Sequence, residues 1–322
     1  MIVNPKYDVV GIGNAIVDYL AHVDDDFLTR HTMPKGGMQL VSAEQNEALR
    51  QELKEARICS GGSVANTIAG LADLGAHCGY IGRVADDELG TLFADDMRNI
   101  GVAYHTPAAT DGAPTASCVV CVTPDGQRTM NTHIGACAEL TPNDVDTEML
   151  SQSKILYIEG YLWDAPKAKD AILYAMQHAR QAGVKVAFTL SDTFCVDRHK
   201  TEFRELIAEH IDILFANGGE MESLYGTNIA DNLMRHLDIA VVTHSEHPVT
   251  VYAGGQEHNV ATAPANLVDS TGAGDLFAAG FLYGITNAMS LDQSARLGHR
   301  MAAHIIAQLG ARSSSSLSML VA

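Results

Sequence analysis

Asp269-Ser270-Thr271-Gly272-Ala273-Gly274-Asp275 runs directly into Leu276-Phe277-Ala278-Ala279-Gly280-Phe281. A polar turn spaced by glycines thus passes into a run of small and apolar residues. The run reads as a slim helix able to pack closely under a sheet. The first turn of any helix has backbone N–H groups without internal acceptors. Gly272 and Gly274 carry no side-chain bulk, so an anion can approach those amides, and the helix dipole favours it there. Asp275 sets a carboxylate beside that anion pocket, where it would oppose simple phosphate binding. It makes sense if it accepts a proton from a hydroxyl that attacks the phosphate. The plainer alternative is an acidic residue at an ordinary helix start.

Outward from this stretch, the chain alternates β and α. Tyr7 to Ile12 is a short strand that ends in Gly11-Ile12-Gly13-Asn14-Ala15-Ile16-Val17-Asp18. That half of a dinucleotide fingerprint lacks its third glycine and leads into a second strand (17–23) rather than a helix, against an oxidoreductase of that type. Asn14 and Asp18 instead suit a vicinal diol, as on a sugar. Residues 24–34 read as a short helix, 38–41 as a strand, and Ser42 with Gln45 as a capping box opening a helix to about residue 55. Ser60-Gly61-Gly62-Ser63-Val64-Ala65-Asn66 is a paired-glycine turn opening a small-residue helix, with a strand at 78–84 and a helix at 88–100 after it. Residues 104–134 are different. Ala116 to Thr123 and Arg128 to Thr132 flank a Pro-Asp-Gly turn, a hairpin signal. Sheet without helices suggests a lid, which the 17–41 strands would join. Arg128 is the cation in its second strand, suited to clamping a phosphate.

From about 135 the alternation is regular. It runs through helices near 141–152, 165–182, 199–210, 218–225 and 229–237, strands at 154–159, 184–190, 211–216 and 238–243, and a hairpin at 248–262. Such alternation implies a parallel sheet covered on both faces. Ligands of such sheets bind beyond the carboxyl ends of the strands. Asn14, Gly61, Glu159, Asn217, Thr243 and Asp275 all fall at or just after such ends. Asn217-Gly218-Gly219-Glu220 puts an amide and an acid on the same edge, able to hold a hydrated Mg²⁺. The run Ser313 to Ser316 reads as a frayed end.

Composition narrows the class. The 322 residues are 47% hydrophobic and 19% charged, ample for a large core. A net charge of −18 argues against a nucleic-acid partner, though not against a phosphorylated small ligand. No secretory leader or membrane-length apolar stretch is evident, and the six scattered cysteines fit reduced thiols, so a cytoplasmic protein is expected. Cys118-x-x-Cys121 lies in a strand, where residues three apart face opposite ways, and no second pair completes a zinc site. His244 and His247 read as surface histidines. No G-x-x-x-x-G-K-[ST] and no G-x-S-x-G occur.

Four of these elements, in this order and spacing, resemble the PfkB-type kinases of the ribokinase superfamily, above all the adenosine kinase-like branch: Gly13-Asn14…Asp18, the Ser60–Asn66 turn, Asn217-x-x-Glu220 and Asp269–Phe281. The resemblance spans nearly the whole chain. It implies a ribokinase-like three-layer α/β sandwich with a mostly parallel central sheet plus a small β-sheet lid. The division expected is 1–15, 42–103 and 135–322 for the core, and 16–41 with 104–134 for the lid. It further implies Asp275 as catalytic base toward a primary sugar hydroxyl, with Gly272, Ala273 and Gly274 as the anion hole. Asn14, Asp18, Gly62, Ser63 and Asn66 would hold the ribose, Glu159 would join that substrate site, and Arg128 would reach in from the lid. Asn217, Thr243, Ser245, Glu246 and Thr271 would lie on the ATP side. Asn217 and Glu220 would organise Mg²⁺ through water, and Asp269 and Thr271 would border a monovalent-cation (K⁺) site. His244-Ser245-Glu246-His247-Pro248 departs from the family's glycine-bearing loop near the ATP phosphates. The expected activity is transfer of the γ-phosphoryl group of ATP to a ribose-containing substrate. A nucleoside such as adenosine comes first, with Tyr161-Leu162-Trp163 able either to face a base or to pack in the core or lid. Ribose or a ketohexose is the alternative sugar, and a catalytically weak nucleoside-binding protein is the alternative class. A monomer and a lid-mediated homodimer both fit.

Overall fold

The computed structural model describes residues 5–53, 55–227, 229, 233 and 236–321. Fourteen strands form two sheets. In chain order they are β1 (Tyr7–Ile12), β2 (Ile16–His22), β3 (Met38–Leu40), β4 (Arg57–Gly61), β5 (Cys78–Ile81), β6 (Ala103–Tyr104) and β7 (Ala116–Val122). Then follow β8 (Arg128–His133), β9 (Ser153–Glu159), β10 (Lys185–Thr189), β11 (Ile213–Asn217), β12 (Ile239–His244), β13 (His247–Ala253) and β14 (Gln256–Val260).

The nine-stranded sheet has the order β14-β13-β12-β11-β10-β9-β1-β5-β6. Its pairs from β12 to β6 are parallel, and β13 and β14 continue it antiparallel. The central strands are buried on both faces, so alternate residues enter different cores. Val9, Ile155, Tyr157, Ala187, Phe215 and Val241 pack with the helices Ser63–Asp73, Glu88–Asn99, Ala273–Thr286 and Leu291–Ile305. Val10, Ile12, Leu156, Ile158, Phe188 and Leu214 pack against Pro166–Ala182, Thr193–His210 and Gly218–Tyr225 on the other side. The result is the expected three-layer α/β sandwich.

The five-stranded sheet has the order β3-β8-β7-β2-β4. Cross-strand register puts Asp18, Leu20, Cys59, Cys118, Val120, Arg128, Met130, Met38 and Leu40 on one face. Tyr19, Val119 and Cys121 are on the other, under Phe27, Leu28 and Leu49 of the helices Asp25–Arg30 and Ala43–Glu52. The second helix opens with the expected Ser42–Gln45 capping box. Its Asn46 donates to the carbonyls of Ser117 and Asn131 and so bonds it to the sheet.

Several expectations need correction. β4 lies within 42–103, assigned wholly to the core, yet it pairs with β2 in the small sheet. The helix expected at 199–210 begins at Thr193, capped by Asp192, and kinks at His199. One 3₁₀ turn, Pro142–Asp144, and a short helix, Thr147–Ser151, replace the helix of 141–152. The helix over 229–237 falls mostly on residues outside those described. Trp163 is 4% exposed, packs edge-on to Phe203 and donates Nε1 to Glu202, so it is core rather than a platform for a base. The Ser313–Ser316 run is not frayed: Leu317 is buried and its N–H donates to Asp73 at 2.7 Å. The cysteines are all free, and Cys118 and Cys121 do face opposite sides of the lid.

Candidate active site

β1 leaves the sheet at Ile12, and β9 ends at Glu159 beside it. Glu159 is fully buried. Its Oε1 accepts from the Asn14 N–H at 2.9 Å and from Asn14 Nδ2 at 2.6 Å, and its Oε2 accepts from the Val64 N–H at 2.9 Å. Burial pushes this acid up to about 7, against the pull of those three donors. Glu159 therefore fixes Asn14 and the start of the helix Ser63–Asp73. Its expected place among groups that touch a substrate is corrected: both oxygens are turned inward.

The quoted stretch folds as read. Gly272 is left-handed (φ +76°), and a Cβ there would come within 2.8 Å of Ala311. The chain can therefore turn at that point into the helix Ala273–Thr286. The amides of Ala273, Gly274 and Asp275 open that helix. Asp275 accepts from Ser63 Oγ at 2.7 Å and from Asn66 Nδ2 at 2.9 Å, while Thr67 Oγ1 donates to the Asp275 carbonyl. Two glycine-led helix starts, more than two hundred residues apart, are thereby bonded through one carboxylate. Burial raises Asp275 to about 6, opposed by its bonds to Asn66 and Ser63 and by the cation of Arg312. Asp18 rises to about 7 through burial, with Arg312 pulling it down and Asp275 pushing it up. Among the described residues Asp18 has no hydrogen-bond partner, so its oxygens remain available.

Arg312 is the residue sequence reasoning missed. Its Nε donates to Asn66 Oδ1 at 2.9 Å, and its charge lies among Asp18, Asp275 and Asp96. Nothing in Gly310-Ala311-Arg312-Ser313 signals a site, because the contact arises only when the segment folds back.

Arg128 reaches down from β8 as expected. It donates Nη1 to Thr271 Oγ1 and Nη2 to Ser270 Oγ, and its Nε lies 3.2 Å from Asp269. Asp269 also accepts from the Thr271 N–H, from Thr271 Oγ1 and from the Gly310 N–H. These bonds hold its carboxyl below the usual range despite burial. Asp269 is thus matched by a cation already, and the arrangement with Arg128 in place does not fit a monovalent cation.

On the opposite flank, Asn217 ends β11 and caps the helix Gly218–Tyr225 with a reciprocal box to Glu220. Burial, with Asp192 nearby, pushes Glu220 up to about 7. A hydrated dication suits this buried acid beside a second carboxylate. Among the described residues no cluster of three acids, histidines or cysteines is placed to bind a metal ion directly. Thr243 Oγ1 donates to the Ala216 carbonyl. Ser245 (φ +53°) and Glu246 form the tight, exposed turn of the β12–β13 hairpin, at the same sheet edge.

A mostly parallel sheet, a small second sheet and a glycine-led helix start carrying a raised carboxylate fit an α/β phosphotransferase with an alcohol acceptor. Residues 37–317 match the pfkB family carbohydrate kinase, and the chain belongs to that family. Among solved structures it is similar to adenosine kinase from Sinorhizobium meliloti, at 45% identity and TM-score 0.91, covering 98% of each chain. It is also similar to a probable sugar kinase protein from Rhizobium etli, at 43% identity and TM-score 0.92, covering 98% of this chain and 97% of that one. A 5-dehydro-2-deoxygluconokinase of Geobacillus thermodenitrificans is 30% identical over 262 residues, 76% of this chain and 78% of the relative. Membership implies ATP as phosphoryl donor, typically with Mg²⁺. No described helix is long and apolar enough to cross a membrane.

Proposed function

We propose that the protein is a nucleoside kinase of the adenosine type, transferring the γ-phosphoryl group of ATP to the primary hydroxyl of the ribose. The observation that supports the reading is the face of the small sheet that carries Asp18. Met38 and Leu40, 45% and 66% exposed, share that face with Asp18, Arg128 and Met130. Asp18 and Asn14 supply a carboxylate and an amide suited to a diol, and Asp275 supplies the base. Exposed apolar side chains suit a planar base better than a second run of hydroxyls. The similarity to the S. meliloti adenosine kinase supports the same choice.

In this reading Asp275, ionised, takes the proton of the hydroxyl as its oxygen attacks phosphorus in line, and ADP leaves with the former bridging oxygen. The amides of Gly272, Ala273 and Gly274 stabilise charge on the transferred group, and Arg128 swings from Ser270 and Thr271 to the phosphate. Asn217 and Glu220 would hold Mg²⁺ through water, and the bound ion would supply charge neutralisation at the phosphates. Thr243, Ser245, Glu246 and Thr271 line the ATP side.

The test is ADP release with Mg²⁺ and ATP over a panel of nucleosides, ribose and ketohexoses. Stimulation by adenosine above all others is expected. Stimulation by free sugars alone would replace the nucleoside with a sugar. Nucleoside binding without turnover would leave a binding protein.

A further inference from the structure

We propose that Arg312 is a positioning residue for phosphoryl transfer, setting the orientation of the Asn66 amide and through it the attacking face of Asp275. The inference rests on the kinase reading and goes beyond it, because no substrate group needs to touch Arg312.

An amide can turn either its oxygen or its nitrogen toward a neighbour. Asn66 is 5% exposed, so the choice is made inside the protein. Arg312 Nε–H donates to Oδ1 at 2.9 Å, which only the oxygen can accept. Nδ2 is then turned to Asp275 Oδ2 at 2.9 Å, with Ser63 Oγ on Oδ1. Flipped, the amide would set its oxygen against a carboxylate and its nitrogen against a guanidinium. Arg312 therefore holds Asp275 in place through one relay.

The backbone that carries Arg312 is fixed on both sides. Gly310 N–H donates to Asp269 at 2.8 Å, and the Leu317 N–H donates to Asp73 at 2.7 Å. Arg57 of β4 donates to the Leu309 carbonyl at 3.3 Å. The segment thus ties the anion loop, the helix Ser63–Asp73 and the lid to the same guanidinium.

The charges around the relay are Asp18 from β2, Tyr157 and Glu159 from β9, and Tyr161 from the turn after it, all felt at Asp275 or feeling it. Asp96, Cys59 and Tyr80 face Arg312 from the helix Glu88–Asn99, β4 and β5. Arg312 is the cation that lowers both Asp18 and Asp275. Without it, each holds its proton to higher pH.

The experiment compares wild type, Arg312→Met and Arg312→Lys in single-turnover phosphorylation against pH, with thermal unfolding to establish that each is folded. Arg312→Met is expected to lower the rate about 10- to 100-fold with nucleoside KM changed far less. Its acidic limb should move up by about one pH unit. Arg312→Lys keeps the charge but not the directional Nε bond, so the limb should return while the rate stays reduced. A folded Met variant with wild-type rate and limb overturns the proposal and leaves the kinase reading intact. Should the Met variant not fold, a Lys variant with full rate overturns it. The Asp275 carboxyl is also titrated by ¹³C NMR in wild type and in a folded variant lacking the cation. An unchanged midpoint overturns the electrostatic part even if the protein turns over no acceptor, which is the result that would defeat the kinase reading instead.

Discussion

In the proposed reaction Asp275 has to be both basic and present as the anion. Burial lifts it to about 6, and Asn66, Ser63 and Arg312 stop it rising further. Protonation on the acid side removes the base, so kcat/KM should fall as pH drops through about 6, with Asp18, titrating near 7, adding loss of substrate grip. Asp275→Asn keeps the shape and both hydrogen-bonding neighbours while abolishing the base. Turnover should drop about 10²- to 10⁴-fold with nucleoside binding largely retained, read as kcat against calorimetric Kd. Near wild-type turnover in that variant would remove Asp275 from the chemistry. Asp18→Ala should act in the opposite sense, raising KM well before kcat; an unchanged KM would move the diol site elsewhere.

At the scale of elements, the helix Ala273–Thr286 is held by two neighbours. It lies against Ser63–Asp73, and it crosses Leu291–Ile305 so closely that a Cβ on Gly280 would stand 2.7 Å from the Gly298 nitrogen. Any side chain there, alanine included, must push one helix away. Gly280→Val is expected to destabilise by about 2–4 kcal/mol and to cost activity beyond the loss of folded protein, because Asp275 rides on the displaced helix. Denaturant unfolding beside specific activity separates the two effects, and full activity per folded molecule would show that the start of the helix is held independently. Elements of this kind were legible in the sequence where one local rule decides them. Ser42-x-x-Gln45 gave its capping box, and Thr123-Pro124-Asp125-Gly126 its hairpin. The last long helix, Leu291–Ile305, went unread although Ser290 and Gln293 carry the same capping signal as Ser42 and Gln45. β4 went unread because Arg57-Ile58-Cys59 becomes strand only by pairing with β2, a contact no local pattern encodes.

For the whole molecule, lid and core meet at the site rather than beside it. Arg128 joins β8 to Ser270, Thr271 and Asp269, and Arg57 joins β4 to Leu309. The lid thus rests on the anion loop. Arg128→Ala should lower kcat/KM by about 10²-fold and speed amide exchange in the β7–β8 hairpin, since both the phosphate partner and the lid contact go. Unchanged exchange would mean that the lid is held by β2 and β4 alone. The alternation of strand and helix made the sandwich readable, because each element reports its own period. Arg312 and the inward turn of Glu159 were not readable, since each depends on residues brought together from distant parts of the chain.

The segment that carries Arg312 also has a consequence for the order in which the protein comes into being. Asn66 and the lid are among the earlier parts of the chain to leave the ribosome, and Arg312 is 246 positions behind Asn66. A nascent chain halted near residue 305 has every strand of both sheets and Asp275 itself. It nevertheless lacks the one cation that orients the Asn66 amide. The site is therefore expected to be complete only once residue 312 has left the ribosome and folded back onto Asn66.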